Sequence, residues 1–315
     1  MKSIGGYFSL ELSEGESYHP QAIALNTGRN CLGYIMRCRN YRKVYIPYYT
    51  CLAVMEPFHK LDIPYEYYHI NEQLEIAEDI SLGSEEALLY TNYFGLKQMY
   101  VERLAKQYGK QLIVDNTQAF YAKPIADVDT FYSCRKFFGV ADGAYLYTNA
   151  KADFEIEQDI SYERMSFLLK RLDLGAEAGY ADFQEQGKRL VGQPIKRMSN
   201  LTEQMMKGID YRSVAQRRRE NYNYLHQHLA ETNQLSLELD EAAIPMVYPY
   251  LTKDGELKQK LIDKKIYVPT YWPNVLEWSK PNDWEYQLAD RTVFIPIDQR
   301  YGQNDMQRII EIIKH

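Results

Sequence analysis

The sequence predicts an α/β fold: a mostly parallel central sheet flanked by helices, followed by a smaller α+β C-terminal domain. Three observations carry this expectation. From about Val44 to Tyr147, short apolar runs alternate with amphipathic ones. Residues 154–231 read as mainly helical, and after Gln234 the pattern changes to short strands and helices. The β–α–β–α–β rhythm of the first stretch is what a parallel sheet wrapped by helices requires.

Taken in order, VYIPYY (44–49) reads as a strand and CLAVMEPFHKL (51–61) as a helix. ALLYTNYF (87–94) is again strand-like, YVERLAKQYG (100–109) is a helix stopped by glycine, and QLIVD (111–115) is a strand. SYERMSFLLKRL and YRSVAQRRRENYNYLHQHLAE are the clearest helical pieces beyond. In the latter, Val214, Asn221, Leu225 and Leu229 fall near one stripe. Arg217, Arg218 and Arg219 are expected mostly elsewhere, on a solvated face or an interface. LSLEL, PMVYPYL, ELKQKLIDKK, YVPTYW, TVFIPI and MQRIIEIIK then alternate as short strands and helices. The expected division is a large domain over 1–205 and a small one over 206–315.

Composition narrows the function. A chain of 315 residues with net charge −6 has no nucleic-acid footprint. No stretch approaches the ~18 apolar residues of a membrane span, and Met1 to Leu10 lack a leader pattern, so a cytoplasmic location is expected. The four cysteines, Cys31, Cys38, Cys51 and Cys134, contain no CxxC pair, which argues against a disulfide framework or zinc. The six histidines are expected on the surface or at caps, and no metal site is expected. The 29 tyrosines are expected at packed edges and a subunit interface.

The chemistry is concentrated in LIVDNTQAFYAKPIADVDTFYSCRKFFGVADGA (112–144). Asp115 ends an apolar run, and a carboxylate buried there needs a partner. A pyridinium N–H supplies one; a helix cap is the other reading. Lys136 follows Ser133 by the Ser-x-x-Lys spacing and precedes a glycine-containing turn. A lysine that forms an imine, an acid that keeps a pyridine nitrogen protonated and a serine that binds phosphate together suit pyridoxal 5′-phosphate. A partly desolvated Lys136 near other cations would react more readily, and Arg135 would lower its basicity or face phosphate or solvent. Upstream, Asn26-Thr27-Gly28-Arg29-Asn30 opens a helix and suits an anion, or is a simple cap. Asn92 stands at a strand end, where it would donate to the phenolate oxygen of the cofactor ring or cap the turn. Gln118 could reach the ring or its oxygen. The order of these pieces, rather than any one of them, points to the cofactor.

The segments TGRNCLGYI, IPYYTC, YTNYFG, IVDNTQA and FYSCRKFFGVADGAYL resemble the DegT/DnrJ/StrS-type sugar aminotransferases of fold-type I. The resemblance runs through roughly 20–150 and continues more loosely through SNLTEQMMKGIDY, RRRENYNYL, YVPTYW and IPIDQRY. It implies that Lys136 is the Schiff-base lysine, Asp115 the pyridine partner, and Gln118 the residue beside the ring. Gly28, Arg29 and Ser133 would hold the phosphate, with Asn92 near the ring oxygen. It also implies glutamate as amino donor, a keto-sugar as acceptor, and a homodimer with the site between subunits. Three departures stand out. Cys51 replaces the aromatic residue that stacks on the ring, leaving Tyr49 or Tyr93 for that task. The Asp-to-Lys interval is short, and the Gly-Tyr-Asn-Tyr-Arg motif that serves the neighbouring subunit is not recognisable. The alternatives are a sugar dehydratase on the same scaffold and a non-catalytic protein retaining the fold. A Ser133–Lys136 hydrolase leaves Asp115 and Asn92 unexplained.

Overall fold

Two-residue alternation along the central strands sets the architecture. A computed structural model describes residues 4–237, 240 and 242–314. Its main sheet contains β1 (Ile23–Leu25), β2 (Lys43–Pro47), β3 (Tyr65–Tyr68), β4 (Glu86–Thr91), β5 (Leu112–Asn116), β6 (Asp129–Ser133) and β7 (Ala144–Tyr147). The order is β1-β7-β6-β5-β4-β2-β3. Strands β2 to β6 pair in parallel, whereas β7 runs antiparallel to both β6 and β1. The expected parallel sheet is therefore present, with an antiparallel margin.

In β4, Ala87 and Leu89 face one core while Leu88 and Tyr90 face another; in β5, Ile113 opposes Leu112 and Val114 in the same way. Both faces are thus buried, as the continuous apolar runs require. The helices α1 (Gly28–Cys38) and α2 (Leu52–Lys60) cover the first face through Leu32, Ile35, Met55 and Phe58. On the opposite face, Val101 and Leu104 of α3 (Gln98–Tyr108) join one core with the C-terminal half. The C-cap Gly109 has φ +52°, so the predicted glycine stop ends α3.

Past the sheet come α4 (Ser166–Leu174), α5 (Tyr180–Arg189), α6 (Asn200–Lys207) and the long α7 (Tyr211–Leu229). The C-terminal part holds β8 (Val247–Leu251) and β9 (Thr292–Pro296), paired antiparallel, with α8 (Leu257–Asp263), α9 (Val275–Trp278), α10 (Trp284–Arg291) and α11 (Gln303–Lys314). Among the described residues, no helix is long and apolar enough to cross a membrane.

Several expectations need correction. Leu235 to Leu237 form no strand, because the Asn233 side chain accepts the Leu235 and Leu251 N–H groups at 3.0 and 2.9 Å. The rest of that run, Glu238 and Leu239, lies outside the described residues. YVPTYW also forms no strand; Pro269 lacks a donor, and the Tyr271 carbonyl is taken by the Tyr49 hydroxyl at 2.7 Å. Arg218 is buried, since it sits four residues from both Val214 and Tyr222 on the inward stripe of α7. His19 is buried as well, bonded to the Phe120 carbonyl at 2.9 Å and the Tyr147 hydroxyl at 3.2 Å. Many tyrosines lie in the core rather than at edges. Tyr68, Tyr90 and Tyr132 are fully buried, and their hydroxyls donate to the Leu89, Leu74 and Ala122 carbonyls.

Candidate active site

The parallel strands β4, β5 and β6 end along one edge, and the singled-out residues follow those ends. Such edges are where α/β sheets bind ligands. Thr91 pairs with Asp115, and the Asn92 N–H donates to the Asp115 carbonyl at 3.0 Å. Asp115 itself is 5 % exposed. Its Oδ1 accepts the Thr117 N–H at 2.8 Å, and it forms no ion pair among the described residues. Burial pushes its carboxyl above the usual carboxylate range, while Thr117 and the positive charge of Lys136 pull the other way.

The start of α1 packs against this turn. A Cβ on Gly28 would stand 3.1 Å from Thr117 Cγ2 and 3.8 Å from the Phe131 ring, so a side chain there would press on Thr117. Thr27 caps α1 by accepting the Asn30 N–H. That bond leaves the Gly28 and Arg29 amides at the positive end of the helix. The Arg29 guanidinium is bonded to Glu56, which also takes Lys60 at 2.8 Å, so its main chain is what Arg29 offers to an anion.

The Lys136 loop is tied to the same place. The Gly143 N–H donates to the Asn26 carbonyl at 2.6 Å, and the Cys134 N–H donates to Gly143 at 3.0 Å. Ser133 ends β6 without a capping bond from its side chain. Lys136 is exposed rather than partly desolvated, because it stands on the one-turn 3-10 segment Cys134–Lys136 that projects beyond β6. Its Nζ lies 5.2 Å from the centroid of the Tyr271 ring. Arg135 makes no hydrogen bond through its Nε, which is buried. Burial, then the charges of Arg29 and Arg164, push its guanidinium down to about 10. A cleft of about 510 Å³ with Tyr162, Arg164 and Arg189 in its wall adjoins Arg164.

Two further residues are placed differently from one another. Asn92 is fully buried and closes its own turn: Oδ1 accepts the Lys97 N–H at 3.0 Å, and Nδ2 donates to Gln98 at 3.2 Å. Gln118 accepts the Phe94 N–H at 3.0 Å, while its buried Nε2 has no partner. Tyr49 and Tyr93 are both 0 % exposed and bonded to each other, Tyr93 hydroxyl to Tyr49 carbonyl at 3.0 Å. Neither turns a free face outward. Tyr271, which lies outside the candidate residues expected from the sequence, is the aromatic ring beside the amine. No local pattern could find it, since it reaches Lys136 only through the folding of the C-terminal half.

Solved structures share this arrangement of chain. DesV from S. venezuelae, in complex with a ketimine intermediate, superposes with a TM-score of 0.62 at 16% identity, over 93% of this chain and 84% of that one. The putative sugar aminotransferase Spr1654 from Streptococcus pneumoniae, in its PMP form, gives 0.63 at 12% identity, over 93% and 86%. A DegT DnrJ EryC1 StrS aminotransferase from Brucella abortus gives 0.58 at 15%, over 93% and 85%. The fold is that of the sugar aminotransferases. No protein-family model and no curated protein sequence matches the chain.

The residues of the site fit pyridoxal phosphate. The buried Asp115, which has no counter-ion, suits a cationic pyridinium N–H, and the orphaned Gln118 Nε2 donor suits an acceptor such as the ring oxygen. The α1 terminus, the uncapped Ser133 and the unpartnered Arg135 Nε offer donors to a phosphate.

Proposed function

We propose that the chain is a pyridoxal-phosphate-dependent aminotransferase that moves an amino group from glutamate to a keto-sugar. The observation that carries the reading is the pairing at the sheet edge. A buried carboxylate without a counter-ion feels the charge of an exposed lysine, beside a helix start where a Cβ on Gly28 would crowd Thr117. When bound, the cofactor supplies an aldehyde that exchanges amines and a ring that accepts electron density. Lys136 would hold the group through Nζ, and its free amine would hold the proton taken from the donor's α-carbon. Asp115 would keep a proton on the pyridine nitrogen. The Gly28 and Arg29 amides and Ser133 bind phosphate, Arg135 adds charge there, and Gln118 directs Nε2 at the ring. Asn92 acts through the turn it closes. Tyr271 places its ring beside the amine.

The sugar-enzyme folds of the neighbours support a small-molecule acceptor. We further propose a cytoplasmic homodimer. Leu169, Leu172 and Leu174 of α4 and Tyr180 and Phe183 of α5 are exposed, which supports a second copy covering that face. The proposed division at 205/206 would fall in the last turn of α6. The test is a spectral titration of the cofactor-loaded protein with glutamate. The cofactor band should shift as one equivalent of 2-oxoglutarate appears, and an added keto-sugar should restore it. A Lys136→Ala protein should do neither. An unchanged spectrum with every amino donor, or full turnover by the variant, would overturn the reading.

A further inference from the structure

Arg218 is a buried charge that the proposed chemistry does not use. It is 1 % exposed, and no carboxylate pairs with it among the described residues. Instead Nη1 and Nη2 reach main-chain carbonyls of separate loops, while the buried Nε has no partner among the described residues. Nη1 donates to Met246 at 2.9 Å and, at a longer 3.4 Å, to Pro245. Nη2 reaches the Phe137 carbonyl at 3.4 Å, and the same oxygen accepts Gln299 Nε2 at 2.9 Å. The guanidinium carbon also lies 4.4 Å from the centroid of the Phe137 ring. Phe137 directly follows Lys136, so its carbonyl and ring are both held from the C-terminal half.

The other arm of the guanidinium leads to the ring side of the site. The Met246 N–H donates to the Phe94 carbonyl at 2.8 Å, and the Phe94 N–H donates to Gln118 Oε1 at 3.0 Å. One bonded path thus runs from Gln118 through Phe94, Met246 and Arg218 to Phe137. A buried guanidinium is costly unless its donors are used, and its planar fork can serve two loops where an ammonium would serve one point. We propose that Arg218, assisted by Gln299, is a positioning residue that fixes the main chain at Phe137 and thereby sets where the Lys136 amine stands relative to Asp115 and Gln118. The proposal deepens the function proposed above and rests on Lys136 carrying the cofactor.

The experiment compares cofactor-loaded wild type with Arg218→Met, Arg218→Lys, Gln299→Leu and Lys136→Ala. It reads the thermal midpoint, bound cofactor, visible circular dichroism per bound cofactor, and kcat and KM for glutamate. Arg218→Met and Gln299→Leu should lose at least half of the dichroic amplitude per bound cofactor. Their kcat should fall tenfold or more, with KM within threefold. Arg218→Lys should lie between. Wild-type dichroism and kcat at equal occupancy would overturn the proposal. So would a misfolded Arg218→Met beside a Gln299→Leu protein indistinguishable from wild type. A Lys136→Ala protein that kept the wild-type cofactor band would sink the lysine assignment itself, which separates that failure from this one.

Discussion

Burial raises the proton affinity of Asp115, so a cofactor-free protein should record that cost. The native carboxyl binds its proton more tightly than the unfolded chain does, and stability then falls as pH rises from the ordinary 3.8 through the higher folded value. Asp115→Asn should remove this fall, seen as urea midpoints that diverge from wild type as pH increases; parallel curves would contradict it. The same variant should keep phosphate contacts yet lose on the order of 10²-fold in kcat, about 2.7 kcal/mol, measured by steady-state transamination. His19 has the opposite sign. Burial lowers its pKa from 6.5 to about 4, so the folded ring stays neutral and stability is lost as pH falls across that window. The loss is on the order of 3 kcal/mol. Denaturation of His19→Gln between pH 7 and 4 should show a shallower acid slope than wild type.

The connection from β4 to α3 shows how an element aims a residue. Phe94 adopts φ +58°, an uncommon conformation for a large side chain, and its two main-chain groups are held by Gln118 and Met246. Gly95 follows at φ +77°, and a Cβ there would come within 2.9 Å of the Ile244 carbonyl and 3.1 Å of the Gln118 carbonyl. Gly95→Ala should therefore cost about 1–3 kcal/mol in denaturation and loosen Gln118 as well. A fully stable variant with unaltered cofactor affinity would argue against that tight turn. Elsewhere, a bidentate ion pair fixes the far end of α1. Arg39 meets the buried Asp129 at 3.0 and 2.9 Å, anchoring the C-terminal end of α1 to the start of β6. Both connections keep helices in register with the strand ends that carry the site.

Across the molecule, the exposed apolar face of α4 and α5 predicts self-association. Wild type should sediment as a dimer, and Leu172→Glu, placed at an 84 % exposed position, should shift it toward monomer. The strands and helices from Val44 to Asp115 were legible because alternating apolar runs and a glycine stop mark them locally. The placement of Asn92, Asp115 and Ser133 at strand ends and of Gly28 at a helix start was legible because apolar runs and a Thr-Gly opening mark those elements locally. Tyr271, Arg218 and Gln299 were not. They come near the Lys136 loop only through packing of the C-terminal half, and Arg218 sits in a run of charges that looks solvated until its helix face is known. The most direct measurement of the central claim is borohydride reduction of the cofactor-loaded protein, followed by peptide mass mapping. The account predicts a single pyridoxyl adduct on Lys136. An adduct on another lysine, or none on a protein that holds the cofactor, would contradict it.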